Sequence, residues 1–335
     1  MRLDEARRVM TVCAVCNYCN GFCETFRAAE RRNAFTDGDL VYLAHLCHNC
    51  GNCWSACQYA PPHVFDVNVP KVLAEVRRQS WGDRPWLALF FVLLLPALTL
   101  AFVPSNTLFA AHTGPGAFYT VLPLPVLVTA GALSLAWGVT VLALGVRRFW
   151  RISGGGFPWQ AMPAALGDML TLRNLGGGGI ACEAGAARRL FHHALAYGFA
   201  MCFGSTAAAT VYHHVFGWEA PYPLVSLPVL LGLAGGLGML TGCAGLAFIK
   251  AKADAALDPA PNDYKLLALL SAVALSGLAL LAFRDTNAMG LLLAVHLGCV
   301  AGFFITLPYG KFAHAPFRAA ALLRTAMERR KARQV

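Results

Sequence analysis

The chain has 335 residues, 57% of them hydrophobic and only 13% charged, with a formal net charge of +10. That balance excludes an ordinary soluble domain and points to membrane spans. The excess of base is placed by topology, so it does not argue for nucleic-acid binding.

The first chemistry-bearing residues are cysteines. Cys13, Cys16, Cys19 and Cys23 lie in CAVCNYCNGFC, and Cys47, Cys50, Cys53 and Cys57 in CHNCGNCWSAC. Both runs read C-x2-C-x2-C-x3-C, the spacing that wraps bacterial [4Fe-4S] clusters and whose fourth cysteine serves the other cluster of a pair. The expected ligand sets are Cys13, Cys16, Cys19 and Cys57 for one cluster and Cys47, Cys50, Cys53 and Cys23 for the other. Zinc sites favour C-x2-C pairs separated by longer loops, and disulfides need an oxidising compartment. The proline usual after the last cysteine is absent, with Glu24 and Gln58 in its place. Between the motifs, ETFRAAERRNAF and DGDLVYLAHL show helical spacing, with Thr36 or Asp37 as cap. VPKVLAEVRRQ then reads as a short basic amphipathic segment, and Trp81, Arg84 and Trp86 mark a membrane interface. Residues 1–80 thus form a cluster domain, with His45, His48 and His63 beside the clusters or on its surface.

Three long stretches follow in which only Glu219, Arg284 and Asp285 carry charge. Each accommodates two helices of about 20 residues, giving spans near 87–103, 121–146, 190–215, 222–249, 264–283 and 288–310. The fold class is all-α: a two-cluster domain, a six-span bundle over 85–315 and a basic tail over 316–335. With six spans, all 27 lysines and arginines except Arg284 fall on one side, which the positive-inside rule makes cytoplasmic. Both termini and the 147–189 loop lie there, and no cleavable signal peptide is apparent. Cys202, Cys243 and Cys299 read as buried apolar residues of the spans. Cys182 lies in a glycine-rich loop, LRNLGGGGIACEAG, which lacks the lysine and preceding strand of a phosphate loop.

Polar residues inside a membrane mark function, and six histidines stand out. His192–His193 and His213–His214 lie at opposite ends of the third span. His296 and His314 are separated by 18 residues, five whole turns of a straight helix and about 27 Å. The heights match His192 or His193 with His314, and His213 or His214 with His296. Two bis-histidine b-type haems, one per leaflet, follow from that arrangement, with His192, His213, His296 and His314 as ligands and His193 and His214 as alternates. Interface or packing roles are the competing reading.

The run RRLFHHALAYGFAMCFGSTAAATVYHHVFGWEAPYPLVSLPVLLGLAGGLGML, with HLGCVAGFFITLPYGKFAHAPFRAAALLR, LTLRNLGGGG and the cysteine motifs, resembles the tricarballylate utilization protein B family, also called the CitB/CobZ type. The resemblance covers nearly the whole chain. It implies a bacterial inner-membrane protein with two [4Fe-4S] clusters and haem b. Such a protein takes electrons from a separate FAD-dependent dehydrogenase, which oxidises tricarballylate to cis-aconitate, and passes them to quinone. Relatives fused to the flavoprotein exist, but this chain carries no flavin domain and no substrate-oxidising site of its own. The spacing of His296 and His314 is also similar to the haem-binding helix of nitrate reductase gamma subunits. Two other readings are a heterodisulfide-reductase-like terminal reductase and a transporter with a regulatory cluster domain. The first would need further catalytic cysteines, and the second would need charge within the spans.

Overall fold

A computed structural model describes residues 2–80, 84–154, 159–176, 185–252, 256 and 262–333. Trp81, Cys182 and most of the glycine run at 176–179 lie outside the described residues. Among the described residues the secondary structure is helical throughout, without strands.

The cluster domain contains α1 (Arg2–Cys16), α2 (Glu24–Glu30), α3 (Asp37–Leu46), α4 (Asn52–Ser55) and α5 (Val69–Arg78). Asp4 and Glu5 sit in the first turn of α1, where carboxylates favour the positive end of the helix dipole. Thr36, one of the two expected caps, starts α3 through a full capping box with Asp39. Asn68 caps α5 by accepting from the Lys71 amide at 3.0 Å, and Pro70 stands in the first turn, where no amide donor is missed. Met10, Leu40, Tyr42, Leu43, Leu46 and Leu73 are fully buried between these helices.

The membrane part contains α6 (Pro85–Phe102), the short α7 (Ser105–Leu108) and α8 (Ala117–Val121), then α9 (Leu124–Ser153), α10 (Met162–Leu170), α11 (Gly185–Phe216), α12 (Leu227–Ala251), α13 (Asn262–Phe283) and α14 (Met289–Thr306). Five of the described helices (α9 and α11 to α14) are long and apolar enough to cross a membrane; a sixth apolar stretch, Trp86–Phe102, falls just short of that length. The helices α11, α12, α13 and α14 pack in sequence order, and α14 also packs on α6 and α9. Small residues set the spacing. A methyl group on Gly242 would stand 2.5 Å from the Leu195 amide nitrogen, and one on Gly298 would stand 2.6 Å from the Val92 carbonyl.

The expected straight helix from His296 to His314 does not hold. α14 ends at Thr306, and two 3-10 turns, Leu307–Tyr309 and Lys311–Ala313, flank an extended Gly310 before α15 (His314–Lys331) begins. Pro308 lacks the amide that would continue the α-helical ladder, so the chain turns here. The basic tail over 316–335 is likewise no loose appendage over its described part. Phe317, Ala320, Ala321 and Leu322 of α15 and Phe149 of α9 belong to the same buried core as the cluster domain. A dense ion network reinforces this seam. Glu328 accepts from Arg32 at 2.6 Å and from Arg324 at 3.1 Å, while Asp39 accepts from Arg32 at 2.7 Å and Arg324 at 3.2 Å. Tyr42 and Thr325 share a buried hydroxyl bond of 2.6 Å beside it. The N-terminal and C-terminal segments therefore sit together at one end of the bundle.

Candidate electron-transfer site

The two cysteine motifs turn by the same device. Asn17 and Gly51 occupy equivalent places, each directly after the motif's second cysteine, and both have left-handed backbone, with φ of 57° and 86°. Glycine and asparagine are the residues that adopt this conformation at least cost. It folds Cys19 back toward Cys16, and Cys53 back toward Cys50.

The fourth cysteines cross over. Cys13 is pushed up to about 12 by loss of water and then by the neighbouring Cys19, Cys57 and Cys16 thiols. Cys19 is raised to about 11, again by loss of water, with Cys57 first among its charged neighbours. In the other group, loss of water raises Cys47 to about 11; Arg77 opposes it and Cys23 and Cys50 add to it. Cys53 is raised by burial, Cys47, Cys23 and Cys50. Cys57 thus neighbours Cys13 and Cys19, and Cys23 neighbours Cys47 and Cys53, with Cys19 also beside Cys23 and Cys53 where the two groups meet. Cys23, Cys47, Cys50 and Cys53 line one hollow, walled by Phe22, Phe26 and Val69 and by Asn174 of the segment after α10. All eight are free thiols. Thiolates that repel one another when empty are the donor set that an iron–sulfur centre satisfies, since it ligates them deprotonated. No trio of His, Cys, Asp or Glu among the described residues closes around a single ion; a four-iron cube holds its ligands farther apart than one ion does. The residues present fit two clusters.

Around the second group the protein is densely wired. The Asn49 amide donates to Cys47 Sγ at 3.4 Å. Arg77 donates to the Cys47 carbonyl at 2.6 Å and to that of Ala44 at 3.2 Å. Arg318, from α15, donates to the Cys47 carbonyl at 3.3 Å and also to His48 Nε2. Accepting that bond requires a neutral His48, and its displacement from water together with Arg318, Arg77 and His192 holds it well below the ordinary histidine range. His45 is buried in the seam, stacked on Phe317 at 4.7 Å and edge-on to Phe149 at 5.1 Å, with Ser80 Oγ 2.9 Å from Nε2. His63 stays exposed among Tyr59 and Phe65.

Of the expected histidine pairs, one comes together. The rings of His192 and His314 stand 6.2 Å apart at an interplanar angle of 82°. Two imidazoles on one metal, each nitrogen about 2 Å away as at other imidazole sites, place ring centres roughly 6 Å apart. His314 Nδ1 is committed to the Lys311 carbonyl, which leaves Nε2 as the nitrogen that would serve a metal. Loss of water and the neighbouring His192 hold His314 below the ordinary histidine range. His192 Nδ1 is buried without a hydrogen-bond partner. These residues fit a haem. The other pair does not converge. His296 Nδ1 meets Ser276 Oγ of α13 at 3.1 Å, whereas the His213 ring stands against Tyr119 and His214. No ring contact joins His296 to His213 or His214 among the described residues. The alternate His193 turns to Tyr197, 5.6 Å away.

Of the remaining expected positions, Arg84 lies over the Tyr309 ring at 5.0 Å and Trp86 is exposed, consistent with an interface. Cys243 and Cys299 are buried in the bundle and Cys202 is half-buried. Arg77 and Arg318 escaped the sequence reading, although Arg318 lies one helical turn after His314 and so shares its face.

A family model described as citrate utilization protein B, Fer4-like domain, matches residues 6–83, and one described as citrate utilization protein B matches residues 82–335. The citrate utilization protein B of Escherichia coli is 45% identical over 356 aligned positions, covering 98% of this chain and 93% of the relative. No solved structure matches. The chain belongs to the citrate utilization protein B family.

Proposed function

We propose that this protein is a membrane electron conduit that reoxidises a reduced flavoprotein and delivers the electrons to quinone. Two [4Fe-4S] clusters, on Cys13, Cys16, Cys19 and Cys57 and on Cys23, Cys47, Cys50 and Cys53, would supply one-electron carriage that splits the two-electron load of a flavin. Haem b on His192 and His314 would supply the next carrier. The donor is a separate FAD-dependent dehydrogenase acting on tricarballylate, citrate-like or related acids, in keeping with the resemblance of the sequence and the family's name. The chain sits in the bacterial inner membrane with both termini cytoplasmic, as its basic residues argue.

One observation carries this reading. Cys47, His48 and Arg318 stand in direct succession beside His192 and His314, so the second cysteine group and the histidine pair belong to one continuous site. The protein's own residues orient and shield that site. Phe149 and Phe317 close it around His45, and Phe199, Phe303 and Phe312 pack between α11 and α14 just beyond it. The test is a reduced-minus-oxidised spectrum of the purified full chain, taken with electron paramagnetic resonance. A bis-histidine b-type α-band and two cluster signals, all reduced by a reduced flavoprotein and reoxidised by a quinone analogue, are expected. Absence of the α-band, or reduction of the clusters without onward oxidation by quinone, overturns it.

A further inference from the structure

We propose that the guanidinium groups of Arg318 and Arg77, both aimed at the Cys47 carbonyl, raise the reduction potential of the centre on Cys23, Cys47, Cys50 and Cys53 above that of its neighbour and so make it the exit centre. The inference rests on the conduit reading and adds a direction to it.

The two cysteine groups differ in their surroundings. Cys13 and Cys19 are displaced from water among other thiols. Cys47 instead has Arg77 2.6 Å and Arg318 3.3 Å from its carbonyl, and an amide on its sulfur at 3.4 Å. Net charge and hydrogen bonds to the sulfurs are the protein's levers on cluster potential. Reduction adds one electron and no proton, so a fixed positive charge nearby favours the reduced form. Arg318 is half-buried, and a second cation, Arg77, shares the Cys47 carbonyl with it. Two cations with little water between them are tolerated where anions compensate, and deprotonated cluster ligands are such anions. In the electron balance, the centre on Cys13, Cys16, Cys19 and Cys57 loses one electron and the arginine-flanked centre gains it. That electron leaves toward the His192–His314 side. Arg318 also bonds His48, so the residue that sets the potential joins the centre to its outlet.

Arg318 and Arg77 are positioning residues, so the readout is a potential rather than turnover. The full-length holoprotein is titrated with mediators while each cluster signal is followed by electron paramagnetic resonance, the signals being assigned from Cys23→Ser and Cys57→Ser proteins. In the unsubstituted protein the centre on Cys47 has the higher potential. Arg318→Met lowers its reduction equilibrium at least tenfold, about 59 mV for one electron, and moves the other centre less than half as far. Arg318→Lys, which keeps the charge, retains most of the potential. Arg77→Met acts in the same direction as Arg318→Met and decides the matter if Arg318→Met fails to assemble. Equal shifts of both centres, no shift in either methionine protein, or a lower potential at the Cys47 centre in the unsubstituted protein overturns the proposal. If the unsubstituted protein holds no cluster pair, the conduit reading itself falls.

Discussion

The expected crossing of Cys23 and Cys57 between the two centres makes a prediction that assigning each motif its own centre would get backwards. Substituting Cys57→Ser changes the second motif, yet it should damage the centre built on the first, because Cys57 neighbours Cys13 and Cys19. Cys23→Ser should damage the centre built on the second motif, because Cys23 neighbours Cys47 and Cys53. Two intact cubes hold about 8 iron atoms per chain. With one thiolate lost, a cube either sheds a single iron or disassembles, leaving about 4 to 7 atoms. Iron analysis with electron paramagnetic resonance reads this out. Cys57→Ser should reproduce the spectrum of Cys13→Ser, and Cys23→Ser that of Cys50→Ser. If Cys57→Ser instead matches Cys50→Ser, each motif feeds its own centre and the crossed arrangement is refuted.

Three further outcomes follow from the seam. His314→Ala or His192→Ala should abolish the b-type α-band, whereas His213→Ala should leave at least half of it; equal losses in all three would dissolve the case for the 6.2 Å pair. Glu328→Gln keeps an acceptor oxygen but removes the negative charge that pairs with Arg32 and Arg324. Breaking a buried pair costs 3–5 kcal/mol; Glu328 keeps 21% exposure and Asp39 still serves both arginines, so a loss of about 2–3 kcal/mol is expected from urea unfolding of the detergent-solubilised chain. Acid should weaken the same seam. Loss of water raises Asp39, but bonds from Thr36 and Arg32 outweigh it and hold the carboxyl below its usual range. The stabilisation is complete above the ordinary carboxylate pKa and disappears as pH falls through the lowered folded value. Urea midpoints measured downward from pH 5 should therefore fall more steeply for the native chain than for Asp39→Asn.

Local chemistry was legible in the sequence, and contacts between distant segments were not. The doubled cysteine spacing specifies which thiols share a turn. The apolar stretches became helices within a few residues, with α9 running on to Ser153 and α11 starting at Gly185. Heights along two antiparallel helices were enough to match His192 or His193 with His314, and the structure brings His192 to it. The expectation of one straight helix from His296 to His314 failed because Pro308 and Gly310 stand in the run. Arg77 and Arg318 were missed because a guanidinium aimed at a backbone carbonyl has no spacing of its own. The ion partners of the basic tail stayed hidden for a related reason. Composition counts Arg324 and Arg329 as charge, but the fold places Glu328, Asp39, Glu24 and Asp168 against them.

The break between α14 and α15 explains how one segment serves two partners. A straight helix would keep His314 on the axis of α14, with the residues after it running out of the bundle. Turning at Pro308 and Gly310 instead lays the first turn of α15 across the seam. His314, Phe317 and Arg318 are then spaced i, i+3 and i+4, which places them on one helical face. From that face His314 meets His192, Phe317 stacks on His45, and Arg318 reaches the Cys47 carbonyl and His48. The helix that carries His314, the proposed haem ligand, is thus the one that grips the cluster domain. Any movement of α15 changes both distances together, and the buried ion network at Glu328, three turns along the same helix, resists such movement. In the proposed conduit a rigid α15 would accordingly be a condition for electron passage and not merely for stability.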